Sequence, residues 1–332
     1  MTKFLYAAAV AMAPFMAGSA AHAACGDITV AAFSWQSAEV NAYVDQFILN
    51  NGYGCNVSVV AGDTVPTITS MIERGQPDIA PAVSPSAIGA VYSKGADEGR
   101  ISRIGIAISD GSVSGWFIPK YTADAHPDIK TIEDALKHPE LFPAPENPSK
   151  GGIIQGPQGR GSTIVTGQLF KAFKAGEKGF ELVSSGSAAA LEGAITRAYE
   201  RKQGYIAYHW VPTSLLAKYP MVRLQGPEHD ADEWTRCTTK QDCPDPKPNY
   251  WKPAEEVTTA SSRFLARDDV EPAKEYFAKR SWTQAEVGQV MLWMTENQAN
   301  GQNGARWFIE HMPEVWTKWV PADVAEKVKA AL

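Results

Sequence analysis

The chain has 332 residues, 44% of them hydrophobic, with ten tryptophans and a formal net charge of −6. That composition excludes a disordered chain, and the lack of any basic cluster excludes nucleic acid as a partner. Beyond the amino terminus no stretch approaches 18 uninterrupted apolar residues, so none reads as a membrane span.

The first 23 residues read as a signal sequence. Lys3 supplies the positive start, "FLYAAAVAMAPFMAG" the apolar middle and Ala21-His22-Ala23 the A-x-A cleavage site. A lipoprotein reading with Cys25 acylated is disfavoured by His22, which stands where such signals want a small or aliphatic residue. The mature chain is therefore expected to be periplasmic and soluble, to start near Ala24 and to carry a charge of −7 once Lys3 is lost. The roughly 309 residues that remain exceed what one core usually organises and suggest two lobes. Four cysteines in an exported chain should be oxidised. They fall into a distant pair, Cys25 and Cys55, and a close pair, Cys237 and Cys243, and pairing within each set is the simplest of three connectivities. Zinc is the rival reading, against which stand the absence of C-x-x-C and the scatter of the six histidines.

"DITVAAFSW" (27–35) predicts a strand, followed by a helix over "AEVNAYVDQFILNNG" that Ser34 or Ser37 would cap. "CNVSVVAG" is a second strand, "DTVPTITSMIERG" a helix capped at Asp63 or Thr64, and "PDIAPAV" a third strand. A second set begins near "GWFIPKY" (115–121). It runs through the strand "GGIIQG", the helix from Ser162 to about Lys174, the strand "FELVSSG", the helix "SAAALEGAITRAYERK" and the strand "YIAYHWVP". A polar loop (226–253) and a helical carboxy-terminal third close the chain, with Trp293, Trp307, Trp316 and Trp319 at helical spacing in the core. Strands alternating with helices predict an α/β fold of two mostly parallel, doubly wound sheets with a cleft between them.

In such sheets ligands sit beyond the carboxyl ends of the strands. That rule selects Trp35, Asp63 and Thr64, the loop Gly156–Ser162, Ser184–Ser187, and His209 with Trp210. "GPQGRGST" is glycine-rich and opens a helix, so its backbone N–H groups around Gly159 and Gly161 suit an anion such as a carboxylate. Phosphate-loop and dinucleotide spacings both fail, and a plain tight turn is the competing reading. Arg160, inside this loop, either grips a carboxylate bidentately or is solvated. Trp35 and Trp210 stand at strand ends, where indole faces attract cations at about 0.5–2 kcal/mol each. His209 points away from Trp210 by strand alternation, and no nucleophile, metal or carboxylate-pair motif accompanies it. Nothing in the sequence favours an enzyme, a metal or a cofactor.

Several segments together carry a resemblance: "SWQSAEVNAYVDQFILNNGYGC", "GDTVPTITSMIERGQPDIAP", "GWFIPKYTADAHPDIKTIEDAL", "YHWVPTSLLAKY" and "PEVWTKWVPADVAEKVKAAL". In this order, over nearly the whole mature chain, they look like periplasmic glycine betaine/proline betaine-binding proteins of ATP-binding-cassette importers. The resemblance implies a two-lobed type II periplasmic-binding-protein fold. Residues 24–114 and 215–332 would form one lobe and 115–214 the other. It further implies a monomer that closes on a small zwitterion and hands it to a membrane permease. Trp35, Trp210 and, matching a family tryptophan, Trp116 would wall a quaternary-ammonium cage. Two departures stand out. An acidic residue and a tryptophan common in relatives are replaced by the run Pro81-Ala82-Val83-Ser84. Arg160 stands where a loop tryptophan is common, with Gly156 and Ser162 in place of its flanking cysteines. An arginine 4 Å from a quaternary cation repels it by about 4 kcal/mol at an effective dielectric of 20. Either Arg160 faces the anionic end of the ligand, or the ligand is not a betaine of the usual kind.

The leading expectation is thus capture of a betaine-like zwitterion. The alternatives are the same transport role for an amino acid or other small carboxylate held by Arg160, an enzyme on the same scaffold, and a sensor subunit presenting its ligand to a receptor.

Overall fold

The computed structural model describes residues 25–332, and the expected signal sequence, residues 1–23, lies outside the described residues. β1 (Asp27–Phe33) pairs in parallel with β2 (Asn56–Gly62), from Asp27 opposite Asn56 to Phe33 opposite Gly62. β3 (Ile79–Val83) runs parallel to the other edge of β1. The helices Gln36–Ile48 and Thr64–Arg74 make the crossovers. Their apolar faces bury Val40, Val44, Ile68 and Met71, each contributing about 1.5–3 kcal/mol when fully withdrawn from water. The carboxy-terminal helices Gln284–Glu296 and Gly301–His311 pack on the same side as Gln36–Ile48. Trp316 and Trp319 are buried there as expected, whereas Trp293 and Trp307 lie half-buried at its edge, stacked on each other at 5.4 Å.

β4 (Ile101–Pro119) is shared between the lobes. Its first part, to Ser112, pairs antiparallel with β9 (Ala254–Ser261) in the first sheet; from Val113 it pairs with β7 (Ile206–Val211) in the second. β7 and β6 (Phe180–Ser184) flank β5 (Gly151–Gln155) in parallel, and β8 (Met221–Arg223) joins the far end of β4. The parallel pairings predicted for each lobe are present, and the antiparallel ones come from β4 and β9, the two crossing strands. β9 itself falls in a region read as helical from the sequence.

The segment 215–253, expected on the first lobe, packs with the second. β8 lies on β4, and Leu224, Trp234, Tyr250 and Trp251 enter the second core beside Ile153, Leu169 and Ile206. The chain thus returns to the first sheet only at β9. Cys25 is bonded to Cys55 and Cys237 to Cys243, with Cα separations of 4.8 and 5.3 Å, the within-set pairing expected.

One polar network threads the first core. Arg280, fully buried, stands 3.0 Å from the Asp45 carboxylate. It also donates to Asn41 Oδ1, the Pro81 carbonyl and Thr258 Oγ1. Burial pushes the Asp45 carboxyl up to about 6 in spite of the Arg280 charge and the Tyr276 hydroxyl. The network ties the helix Gln36–Ile48 to β3 and to β9 just below the cleft.

Candidate functional site

A pocket with about 500 Å³ of free space, its open mouth included, lies between the lobes. The first lobe contributes Trp35, Thr64, Ser84, Ala87 and Glu256; the second contributes Ser114, Arg160, Gly161, Ser162, Tyr208 and Trp210. Each arrives by a local rule. Trp35 follows β1 and is the N-cap residue of Gln36–Ile48, where its extended backbone turns the indole outward to stack on Phe33 at 4.9 Å. Ser34 and Ser37 make no cap there. Ser34 Oγ is diverted to the Asp63 carboxylate at 2.9 Å. Asp63 does act as the N-cap residue of Thr64–Arg74, accepting from Thr64 N. On β7 alternation sends Tyr208 and Trp210 to the pocket and His209 to the other face.

Arg160 reaches across the cleft. Its guanidinium carbon lies 5.0 Å from the Trp35 ring centre and 5.6 Å from that of Trp210, one indole from each lobe. Nη2 donates to the Ser34 carbonyl at 3.2 Å and Ser34 Oγ at 3.1 Å, and Nε stands 3.6 Å from the Asp63 carboxylate. Arg160 is 4% exposed, and cation–π contacts this far from water contribute up to about 2 kcal/mol each. The loop around it is stitched to the first lobe as well. Val65 N donates to Gly159 O at 3.1 Å, and Gly161 N donates to Thr64 Oγ1 at 3.2 Å. Gly159 has a φ of +88°, a left-handed turn that a side chain would strain. On a second rim, Trp234 Nε1 donates to the Ser86 carbonyl and Ala90 N to Thr239 Oγ1. The cleft is closed.

Glu256, at the start of β9, carries a carboxyl lifted to about 7 by the protein atoms crowding it, with the Ser112 hydroxyl as the opposing influence. No cation pairs with it among the described residues. Burial likewise raises the Tyr208 hydroxyl, which faces the Ser114 and Ser162 side chains. His209 is fully buried, its Nδ1 accepts from Trp210 N, and burial, then the Arg160 charge, pushes it down to about 3. It is a neutral imidazole on the wrong side of the strand for catalysis.

Of the residues expected at the site, Trp35, Thr64, Arg160, Gly161 and Trp210 line the pocket. Asp63 and Gly159 stand behind it in the closing contacts. Trp116 does not reach it. It is 0% exposed within the second core, tilted against Phe173 at 6.3 Å, while Ser114 is the β4 residue on the pocket wall. The anion-cradle reading of the glycine loop is altered too, since Gly161 N is spent on Thr64. Sequence reasoning missed Glu256, Ser114 and the use of Tyr208, and named Ser84 only as part of the run that departs from the relatives. Only Tyr208 carried a signal, its parity with Trp210.

A family model described as the substrate binding domain of an ABC-type glycine betaine transport system matches residues 26–311. The chain belongs to that family. Among solved structures, the glycine betaine/L-proline-binding protein ProX of Borrelia burgdorferi superposes with a TM-score of 0.72 at 17% identity, over 91% of this chain and 99% of that one. Lactococcal OpuAC, closed on glycine betaine, gives 0.68 at 17% identity over 89% and 100%. An ABC-transporter choline binding protein in complex with choline gives 0.69 at 17% identity over 92% and 98%. These likenesses identify the fold of this substrate-binding protein as the two-lobed, type II periplasmic kind.

Proposed function

We propose that this binding protein captures a small zwitterion between its lobes and delivers it to the membrane permease of an ABC importer, as a periplasmic monomer and without covalent chemistry. The observation that carries the reading is the pocket itself. It is walled from both lobes, lined by hydroxyls, and holds a basic group, the Arg160 guanidinium, and an acidic one, the Glu256 carboxyl. A ligand bearing both charges complements it, and closure around that ligand brings the two lobes into the bonds described above. The two disulfides fit an exported chain, and no helix of the described residues is long and apolar enough to cross a membrane. The lactococcal relative closed on glycine betaine and the choline-bound one support a ligand of that size. The test is calorimetric and tryptophan-fluorescence titration of the purified protein with glycine betaine, proline betaine, choline, trimethylamine N-oxide and small amino acids. A saturable response to a zwitterion supports the proposal, and silence toward all of them rejects it.

A further inference from the structure

The space between Trp35 and Trp210 already holds a cation, and it is the chain's own. The Arg160 guanidinium lies over both indoles at 5.0 and 5.6 Å. A trimethylammonium group and a guanidinium cannot share that gap, because they compete for the same volume and repel each other. Nor is Arg160 a loose side chain that a ligand brushes aside. Nη2 is held by Ser34 through two hydrogen bonds, Nε faces the Asp63 carboxylate, and the backbone on either side is bonded to Val65 and Thr64. While the lobes are closed, the aromatic pair is filled.

What the pocket leaves for a ligand is a different set of groups. Arg160 Nη1 has no protein acceptor among the described residues. The hydroxyls of Ser84, Ser114, Ser162 and Tyr208 line the walls, and Glu256 is a carboxylate without a cation. A carboxylate drawn out of water recovers its lost hydration through donated hydrogen bonds, which an N–H-bearing ammonium gives and a permethylated nitrogen cannot. We infer that Arg160 is the residue that sets specificity: it occupies the tryptophan box in the ligand's place, so the cleft selects a zwitterion whose nitrogen carries N–H bonds, received by Glu256, with the ligand's anionic group on Arg160. The elevated carboxyl of Glu256 accords with a group awaiting a positive partner. This inference rests on the small-zwitterion reading and narrows it from the size class of the relatives' ligands to amino-acid-like nitrogen.

The methylation series glycine, sarcosine, N,N-dimethylglycine and glycine betaine, with proline and proline betaine as a bulkier pair, tests it by calorimetry at pH 8. The wild-type protein should lose at least tenfold in affinity at the step that removes the last N–H. Arg160→Gln and Arg160→Ala should gain at least tenfold for glycine betaine or proline betaine, because the box is emptied. Glu256→Gln should lose at least tenfold for the N–H-bearing ligands and gain nothing for the betaines. Thermal melts establish that each variant is folded, and the wild-type series decides the matter even if an Arg160 variant is not. Wild-type protein that binds the betaines as tightly as their N–H counterparts overturns the inference and leaves the small-zwitterion reading standing. Failure of every zwitterion to bind removes that reading, and the inference with it.

Discussion

Replacing Gly161 by alanine should hold the cleft open while leaving each lobe intact. A Cβ added at Gly161 would lie 2.3 Å from the Ala87 carbonyl oxygen and 2.3 Å from Ile88 Cγ2, with the Ala87 carbonyl carbon at 2.8 Å. The isoleucine methyl can rotate away, but the backbone carbonyl cannot. Relief therefore requires the loop carrying Gly161, on the second lobe, to withdraw by about an ångström from the 85–88 segment of the first. Overpacking against backbone costs about 1–3 kcal/mol. Here the cost falls only on the closed arrangement, so it appears as about a 5- to 150-fold loss of ligand affinity. Gly167 supplies the control. It lies in the interior of the same helix, Gly161–Ala172, and a Cβ there meets nothing within 4 Å. Gly167→Ala should leave binding unchanged and stabilise the fold by about 0.5–1 kcal/mol through helix propensity. Calorimetry with the tightest-binding zwitterion gives the affinities, melts give the stabilities, and X-ray scattering of the unliganded proteins reports closure. If Gly161→Ala binds within twofold of wild type, or loses as much stability as affinity, the interlobe clash is not what the glycine avoids.

Two further predictions follow from groups the pocket and core hold out of water. An ammonium ligand needs Glu256 ionised, so affinity should plateau above its value of about 7 and fall about tenfold per pH unit below it. The unliganded fold has the opposite slope. A carboxyl raised from 4.5 to about 7 favours the folded state below 4.5, and that stability is lost as the pH rises through 7. Glu256→Gln should flatten both trends relative to wild type, Asp45 adding its own slope near 6 to the stability of each protein. An unchanged pH profile of binding in Glu256→Gln contradicts the assignment. In the core, Arg280→Leu should cost about 3–5 kcal/mol in urea denaturation, because Asp45 keeps only the Tyr276 hydroxyl as a donor. Adding Asp45→Asn should restore part of that loss, and a cost below about 1 kcal/mol for the single variant refutes the role given to the pair.

The parts of this protein that could be read from its sequence are those whose pattern is local. Strands such as "DITVAAF" and helices such as "SAAALEGAITRAYE" have one apolar face each, and the structure places them within a residue or two of expectation. β4 was recognised only at its "GWFIP" end. Along its length it changes lobe, so its buried side changes too, and its pairing with β9 shifts register between Arg103 and Gly105, Ile106 and Ile108, and Ile108 and Ser112. A period-2 search finds no sustained signal in such a strand. β9 was lost because Val257–Ser261 is buried on both faces and reads Val-Thr-Thr-Ala-Ser, with no apolar alternation, and Glu256 was lost with it. Trp35 and Trp210 were legible because the strand-end rule is itself a rule about chain order. The destination of Arg160 was not, since it depends on which surface the second lobe meets when it closes. The loop 226–253 carries no periodicity at all, and only Trp234, Tyr250 and Trp251, found buried, show which core it joins.

The chain leaves the first sheet and re-enters it at facing positions, Ser112 opposite Ala254. Topologically the second lobe is an insertion, one unbroken stretch from about residue 113 to 253 whose two ends are neighbours. The first lobe is the interrupted one. Its sheet lacks the strand between β3 and β4 until β9 is made, and its core lacks Trp282, Phe308 and Trp316 until the last quarter of the chain arrives. Assembly in order of synthesis therefore completes the younger half of the fold before the older, and the lobe that begins the polypeptide is the one that waits for its end.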